Sequence, residues 1–210
     1  MKKIVLLVVF VSFTALINAQ GLHFGPQVGF SLTSFIEKSD FATPDYNLKM
    51  GYQLGLAAEF EIMSFVYVGA SVSFFEKGTK TVNTFSKTKL KLGYLDIPIY
   101  IGYKVPLGNI SVFGNVGPYS SLALVGKYSY HSEYGGYEID EDHPVEFGNE
   151  SGLIKRFDTG VVFGGGVEFM QWQLKANYAL GFVDLAPADY VSAKNSVLNI
   201  TCTYFIGRNF

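Results

Sequence analysis

The clearest pattern in the sequence is an alternation of apolar and polar positions within Arg156–Leu185. Two runs of about ten residues are separated only by Met170-Gln171, and each run places apolar side chains on one face. A period of two is typical of a β-strand, and about ten residues is the length that a tilted strand needs to cross a bilayer. The pattern therefore predicts a transmembrane β-hairpin with a tight turn.

The two faces of this hairpin predict different surroundings. The apolar face carries Thr159, Val161, Phe163, Val167 and Phe169 on the first run, and Trp172, Leu174, Ala176, Tyr178, Leu180 and Phe182 on the second. The opposite face carries Asp158, Gly160, Gly164, Gly166 and Glu168, and then Gln173, Lys175, Asn177, Ala179 and Gly181. Lipid outside and a narrow polar interior inside would produce this division.

The same alternation recurs in six other segments. They are Leu22–Thr33, Met50–Ile62, Phe65–Glu76, Leu90–Lys104, Ile110–Val125 and Ser196–Gly207. Together with the hairpin they predict an all-β fold, an eight-stranded antiparallel transmembrane up-and-down β-barrel. Pro98 and Pro118 cannot donate a ladder hydrogen bond, so we expect a β-bulge at each.

The predicted connections are of two kinds. Those after the second, fourth and sixth strands are short, whereas the others are long and polar, including Lys77–Lys89 and Gly126–Lys155. This asymmetry is typical of bacterial outer-membrane barrels, with short periplasmic turns and long extracellular loops. Outward aromatic residues near the strand ends predict two interfacial belts. They include Tyr52, Phe60, Phe157, Phe169, Trp172 and Phe182.

The N-terminus has the pattern of a secretory signal. Lys2 and Lys3 precede the apolar segment Ile4–Phe13, and Ile17-Asn18-Ala19 approximates a cleavage site. The alternative, a membrane-anchoring helix, is disfavoured because the apolar segment is short. We therefore predict a signal peptide at 1–19 and a barrel domain at 20–210, located in the outer membrane with its lipid as one partner.

Composition and charge narrow the function classes. Charged residues make up 16% of the chain, below the usual quarter. Removal of the signal would leave 16 − 2 = 14 basic residues against 18 acidic ones, a net charge of −4. This balance argues against nucleic acid as a partner. The single cysteine, Cys202, cannot form an intramolecular disulfide and is interpreted as a small apolar side chain.

Several segments resemble the outer membrane protein beta-barrel domain family of Bacteroidetes-type bacteria, also described as porin family or PorT-like. They are Phe24-Gly25-Pro26, Tyr94-Leu95-Asp96-Ile97-Pro98, Phe157-Asp158-Thr159-Gly160, Gly164-Gly165-Gly166-Val167-Glu168-Phe169 and Tyr178-Ala179-Leu180-Gly181-Phe182. The resemblance spans essentially the whole mature chain. It implies an eight-stranded outer-membrane barrel and offers no catalytic residues.

Charged residues on the predicted inward faces are the main candidates for chemistry. We expect Glu59, Asp96, Glu168 and Lys175 to form a structural polar network, because buried charges must pair in a lumen that side chains fill. A proton or ion path is the alternative.

The longest predicted loop also carries titratable groups, at His131-Ser132-Glu133 and within Glu138–His143. A calcium site or a hydrolytic Ser/His pair would need a ligand ladder or an orienting third residue, and neither is visible. We interpret these residues as solvated surface charge, and expect no catalytic residue, metal or cofactor.

Four functions are compatible with this fold to different degrees. We favour a monomeric, non-enzymatic barrel with a recognition or envelope/secretion-accessory role, which binds an envelope or extracellular protein through its long loops. A small passive pore is disfavoured by the strand number, and a lipid-modifying enzyme by missing catalytic groups. A soluble lipocalin-like carrier would place its apolar face inside, which fits the inward glycines and scattered charges less well.

Overall fold

A computed structural model describes residues 21–38, 49–82, 86–134, 137–148, 154–184 and 192–208. The predicted signal segment, Met1–Ala19, lies outside the described residues. The strands are β1 (Leu22–Lys38), β2 (Lys49–Met63), β3 (Val66–Val82), β4 (Ser86–Leu107), β5 (Ile110–Tyr134), β6 (Tyr137–Pro144), β7 (Phe157–Phe169), β8 (Trp172–Gly181) and β9 (Ser192–Tyr204). None of the described residues forms a helix long and apolar enough to cross a membrane.

The strands close into a ring in which every neighbouring pair is antiparallel. The order β4-β3-β2-β1-β9-β8-β7-β5 is completed by pairing between β4 and β5, and β6 pairs with the far part of β5. The eight-stranded antiparallel up-and-down barrel predicted from the alternation is therefore confirmed. Within the described strands, ring closure leaves no unpaired edge along the wall, as a lipid environment requires.

The alternation has the predicted orientation. Outward side chains such as Leu54, Ile99 and Leu174 are 60%, 54% and 52% exposed, whereas the interleaved Gln53 and Gln173 are buried inside the ring. A soluble carrier with an apolar interior would show the opposite arrangement. The outer wall is thus hydrocarbon, and the lumen is polar.

The barrel has two different ends. At one end, which we call the short-turn end, Ser64-Phe65, Gly108-Asn109 and Met170-Gln171 join neighbouring strands. At the other, the extended end, β3, β4 and β5 continue far past their neighbours. Lipid-facing aromatic residues occur at two heights of the wall, one near each end. Those near the short-turn end include Phe60, Phe65, Tyr103, Phe169, Trp172 and Tyr204, and those toward the extended end include Phe30, Tyr52, Phe74, Phe157 and Phe182.

The long polar connections were predicted as loops, and for most of their described residues this is wrong; residues 145–148 and 154–155 do lie outside the named strands. Strands β3 and β4 remain paired from Lys77↔Leu92 to Val82↔Lys87, and β5 continues to Tyr134, where it pairs with β6. Strands β1 and β9 likewise extend beyond the predicted bounds. Outside a bilayer both faces of a strand can meet water, so the alternation that identifies membrane strands disappears while backbone pairing persists.

The bulges predicted at the two prolines are also wrong. Pro98 pairs with Tyr119 and Ile101 pairs with Val116, so the β4–β5 register is the same on both sides. A proline removes one donor, and this does not require an inserted residue. The β4–β5 register shifts instead between Gly93 and Tyr94.

Candidate functional site: the barrel lumen

The four inward residues predicted to form one polar network lie at different places in the lumen. Glu59, Glu168 and Lys175 are each at most 2% exposed, and Asp96 is partly buried. Glu59 and Glu168 share one cluster near the short-turn end, whereas Asp96 belongs to a second cluster nearer the extended end. Lys175 lies apart from both sets of direct ion pairs.

The first cluster, which we call the lower cluster, is organised by Arg208. Its Nη2 donates to Glu59 Oε2 and its Nη1 donates to Glu168 Oε1, each at 2.8 Å. The planar guanidinium is suited to this role because its donors point in fixed, diverging directions. Gln173 Nε2 donates to the same two carboxylates, at 2.8 Å to Glu59 and 2.7 Å to Glu168.

A second cation completes the lower cluster. Lys104 Nζ lies 2.7 Å from Glu168 Oε2 and 3.8 Å from Glu59 Oε2. Glu61 lies at the rim, with its Oε1 3.6 Å from Lys104 Nζ. Glu59 and Glu168 are therefore balanced by Arg208 and Lys104, as buried charges require.

Arg208 reaches this position because the chain turns inward after β9. Ile206 still pairs with Phe24 on the wall, and Gly207 then adopts a φ of 77°, which L side chains rarely allow. Arg208 follows at 3% exposure, with its guanidinium carbon 4.3 Å from the Phe205 ring centroid. Sequence reasoning missed Arg208 because alternation ends at Gly207. The Gly-Arg step directly after the last strand was the available signal.

Lys175 contacts the aromatic ring of Tyr100 in the middle of the lumen. Its Nζ donates to Tyr100 Oη at 3.1 Å and lies 4.4 Å from the Tyr100 ring centroid. Tyr67 packs edge-on against both Tyr100 and Phe113, with centroids 6.2 Å apart in each pair. Within the described residues, no carboxylate lies within ion-pair distance of Lys175, so the ring face of Tyr100 is its direct electrostatic partner.

The second cluster, which we call the upper cluster, surrounds Lys77. Its Nζ lies 3.0 Å from Ser121 Oγ, 3.4 Å from Asp96 Oδ1 and 3.7 Å from Asp158 Oδ2. Ser121 also donates to Asp96. Three aromatic rings complete the enclosure of the ammonium group, with centroids 4.8 to 5.3 Å away; they belong to Phe75, Tyr94 and Tyr119.

Asp158 in the upper cluster is held by further hydrogen bonds. Tyr119 Oη donates to Asp158 Oδ2 at 3.0 Å, and Asn195 Nδ2 donates to the same oxygen at 2.7 Å. Sequence reasoning placed Asp158 inward but did not assign it to the network. Lys77 was missed because its segment has the composition of a loop.

Little space remains between the two clusters. A polar cavity there, lined by Gln27, Gln53, Lys175 and Asn177 among others, leaves about 20 Å³ for the centre of a water molecule. That is about enough for one water. Apart from Glu61 at the rim, the described charges of the two clusters and Lys175 are balanced; the carboxylates are Glu59, Asp96, Asp158 and Glu168, and the cations are Lys77, Lys104, Lys175 and Arg208.

Comparisons with solved structures find distant barrels. Ail, the attachment invasion locus protein of Yersinia pestis, is 17% identical over 90% of this chain and 100% of its own, with a TM-score of 0.44. Neisserial surface protein A is 12% identical over 88% of this chain and 97% of its own, with a TM-score of 0.43. A search of curated protein sequences finds no significant match.

A family model gives the decisive comparison. The model described as "Outer membrane protein beta-barrel domain" matches residues 18–186, which is most of the chain. The match agrees with the closed ring, the apolar outer wall and the two aromatic belts. The chain therefore belongs to the outer membrane protein beta-barrel domain family and is an outer-membrane β-barrel protein.

Proposed function

We propose that this barrel presents a strand platform beyond the membrane for recognition of an envelope or extracellular protein, while its lumen is a structural plug. This proposal rests mainly on the length of the strands at the extended end. Strand β5 has 25 residues and β4 has 22, whereas β8 has 10. A crossing needs about 9–11 residues, so roughly half of β4 and of β5 lies outside the hydrocarbon.

The protruding segments form one sheet, which we call the platform. In this sheet, residues 76–82 of β3, 86–93 of β4, 125–134 of β5 and all of β6 are paired in that order. Such a sheet holds exposed groups in fixed positions, which favours recognition over the variable geometry of a loose loop. Glu141, Asp142 and His143 are among its exposed residues.

A local ion pair supports the outer hairpin of the platform. Lys127 Nζ lies 2.8 Å from Asp142 Oδ2, and Ser129 Oγ donates to Asp142 Oδ1 at 2.6 Å. The hydrogen bonds from Lys127 and Ser129 hold the pKa of Asp142 below its ordinary value. Strands β5 and β6 are thus joined by side chains as well as by backbone pairing.

The mutual pairing of the lumen charges supports a plug. Each carboxylate of the two clusters accepts a hydrogen bond from at least one cation or neutral donor among the described residues, which favours a structural role for these groups. We therefore propose that the protein is a non-enzymatic, monomeric barrel with a PorT-like role in the envelope or as a secretion accessory. The extended end is then the extracellular end.

In-cell photo-crosslinking tests the proposal. A photoreactive amino acid in place of Glu141 should give one dominant crosslinked protein in intact cells. The same group in place of Lys194, which is exposed on β9 away from the platform, is the matched control. Equal crosslinking from both positions, or none from position 141, would contradict recognition through the platform.

A further inference from the structure

The outward face of β4 changes chemistry where the strand leaves the hydrocarbon. From the middle of the wall toward the extended end, every second residue is first Ile99, Ile97 and Leu95, then the buried Gly93, and then the exposed Lys91 and Lys89. These residues are two apart, so they share one face. On this lipid-facing side of β4, apolar side chains are therefore followed directly by lysines.

The depth of this change matches the polar headgroup layer. At Gly93, the Phe74 and Val125 side chains from the two neighbouring strands close over the backbone, where an added Cβ would approach them at 2.7 and 2.8 Å. Phe74 contacts Tyr52 in the aromatic belt toward the extended end, with ring centroids 6.1 Å apart. Aromatic belts mark the boundary between hydrocarbon and headgroups. Lys91 lies two residues closer to the extended end than Gly93, which places it just beyond that boundary.

Lysines from two strands meet at this depth. Lys91 of β4 lies directly opposite Lys127 of β5, and Lys89 lies opposite the backbone of Lys80 in β3. Directly opposed like charges destabilise a strand pair unless a counter-charge intervenes. Lys127 has Asp142 as a partner. Lys89 and Lys91 are exposed, and among the described residues neither lies within 4.0 Å of a carboxylate.

We propose that Lys89 and Lys91, with Lys127 beside them, form a lysine patch that binds the phosphate of a lipid headgroup in the leaflet at the extended end. The lipid's chains would lie on the apolar side chains immediately below; those include Leu95, Leu122, Leu124 and Val125. The phosphate would supply the negative charge that Lys89 and Lys91 lack among the described residues. A soluble protein is disfavoured as the occupant, because the patch faces the side that the surrounding lipid covers.

Relative lipid association measures this directly. The full-length protein is reconstituted in phosphatidylcholine vesicles, and electron spin resonance compares spin-labelled phosphatidic acid with spin-labelled phosphatidylcholine at the barrel wall. We expect wild-type protein to prefer phosphatidic acid by severalfold. Each lysine removed should lower the preference on the order of fivefold at most, given the usual strength of a lysine near an anionic surface. Lys89→Gln with Lys91→Gln should remove most of it.

Lys194→Gln is the matched control. It removes the same charge from an outward position near the extended end of β9, but Ile36 rather than a lysine lies opposite it in β1. Its phosphatidic acid preference should equal that of wild type, and folding of every variant is verified by heat-modifiable migration on gels. A wild-type barrel without a preference would overturn the lipid site. An equal loss in Lys194→Gln would also overturn it, because it would show a general charge effect.

Discussion

The Arg208 guanidinium and the Glu59 carboxylate are separated by 149 residues in the chain, yet Nη2 and Oε2 lie 2.8 Å apart inside the barrel. The other arm of the same guanidinium binds Glu168 at 2.8 Å. A residue beyond the last strand thereby joins β2 and β7 across the lumen. The lower cluster depends on this single cation more than on any other.

Replacing Arg208 with alanine should destabilise the barrel by about 3–5 kcal/mol. The reason is that two buried carboxylates would keep only Lys104 as a cationic partner. Reversible urea unfolding in lipid vesicles measures the free energy. Adding Glu59→Gln to Arg208→Ala should recover part of the loss, because one carboxylate charge then remains for one cation. A double variant no more stable than Arg208→Ala would contradict the charge-balance explanation.

Arginine substitutions along the outward face of β4 should have costs that depend on depth. Ile99 lies midway along the apolar face and is 54% exposed, whereas Leu107 lies beside the short turn and is 62% exposed. Ile99→Arg should cost about 2–4 kcal/mol and Leu107→Arg about 0–1 kcal/mol. The same urea unfolding assay compares them. Equal costs at the two positions would show that the membrane boundaries are placed wrongly.

Met170 in the β7–β8 turn has a φ of 52°, in the left-handed region that side chains with a Cβ disfavour. Because Met170 is 53% exposed, Met170→Gly removes little packing. It should stabilise the barrel by roughly 0.5–1 kcal/mol. The neighbouring Gln171, which lacks a positive φ, is the control. Gln171→Gly should give no gain, and a similar gain at both positions would argue against backbone strain as the cause.

The outer hairpin should lose stability in acid. Since the folded pKa of Asp142 lies below its ordinary value of 3.8, the carboxylate stabilises the hairpin at pH values above 3.8. That contribution is lost as the pH falls through the lowered folded pKa. NMR titration of the Asp142 carboxyl in micelles measures the effect. Lys127→Met should move the titration back toward 3.8, whereas Lys194→Met should leave it unchanged.

The membrane-spanning strands could be predicted because the bilayer and the lumen impose opposite demands on neighbouring residues. Leu174 and Lys175 show this clearly, one 52% exposed and the other buried. Beyond the bilayer that contrast is absent, so the strand character of Lys77–Val82 left no trace in the pattern. That this segment pairs with β4 is seen only in the structure.

The composition of the lumen was predictable, but its partners were not. Alternation placed Glu59, Asp96, Glu168 and Lys175 inward, yet it contained no information on their heights in the ring. Those heights depend on strand register and on the inward turn at Gly207. Arg208 consequently pairs with Glu59 and Glu168, and Lys77 pairs with Asp96, whereas the sequence had suggested one network around Lys175.

Single-channel recording of the purified protein in a planar bilayer tests most directly whether the lumen is a plug. The paired clusters occupy the described lumen at two heights, and the cavity between them leaves only about 20 Å³ for the centre of a water molecule, which favours a plug over a pore. We therefore expect wild-type protein, verified as folded and inserted, to show no steady unitary conductance under an applied voltage. Reproducible unitary steps of constant size from that same protein would contradict the plug and favour a small passive pore.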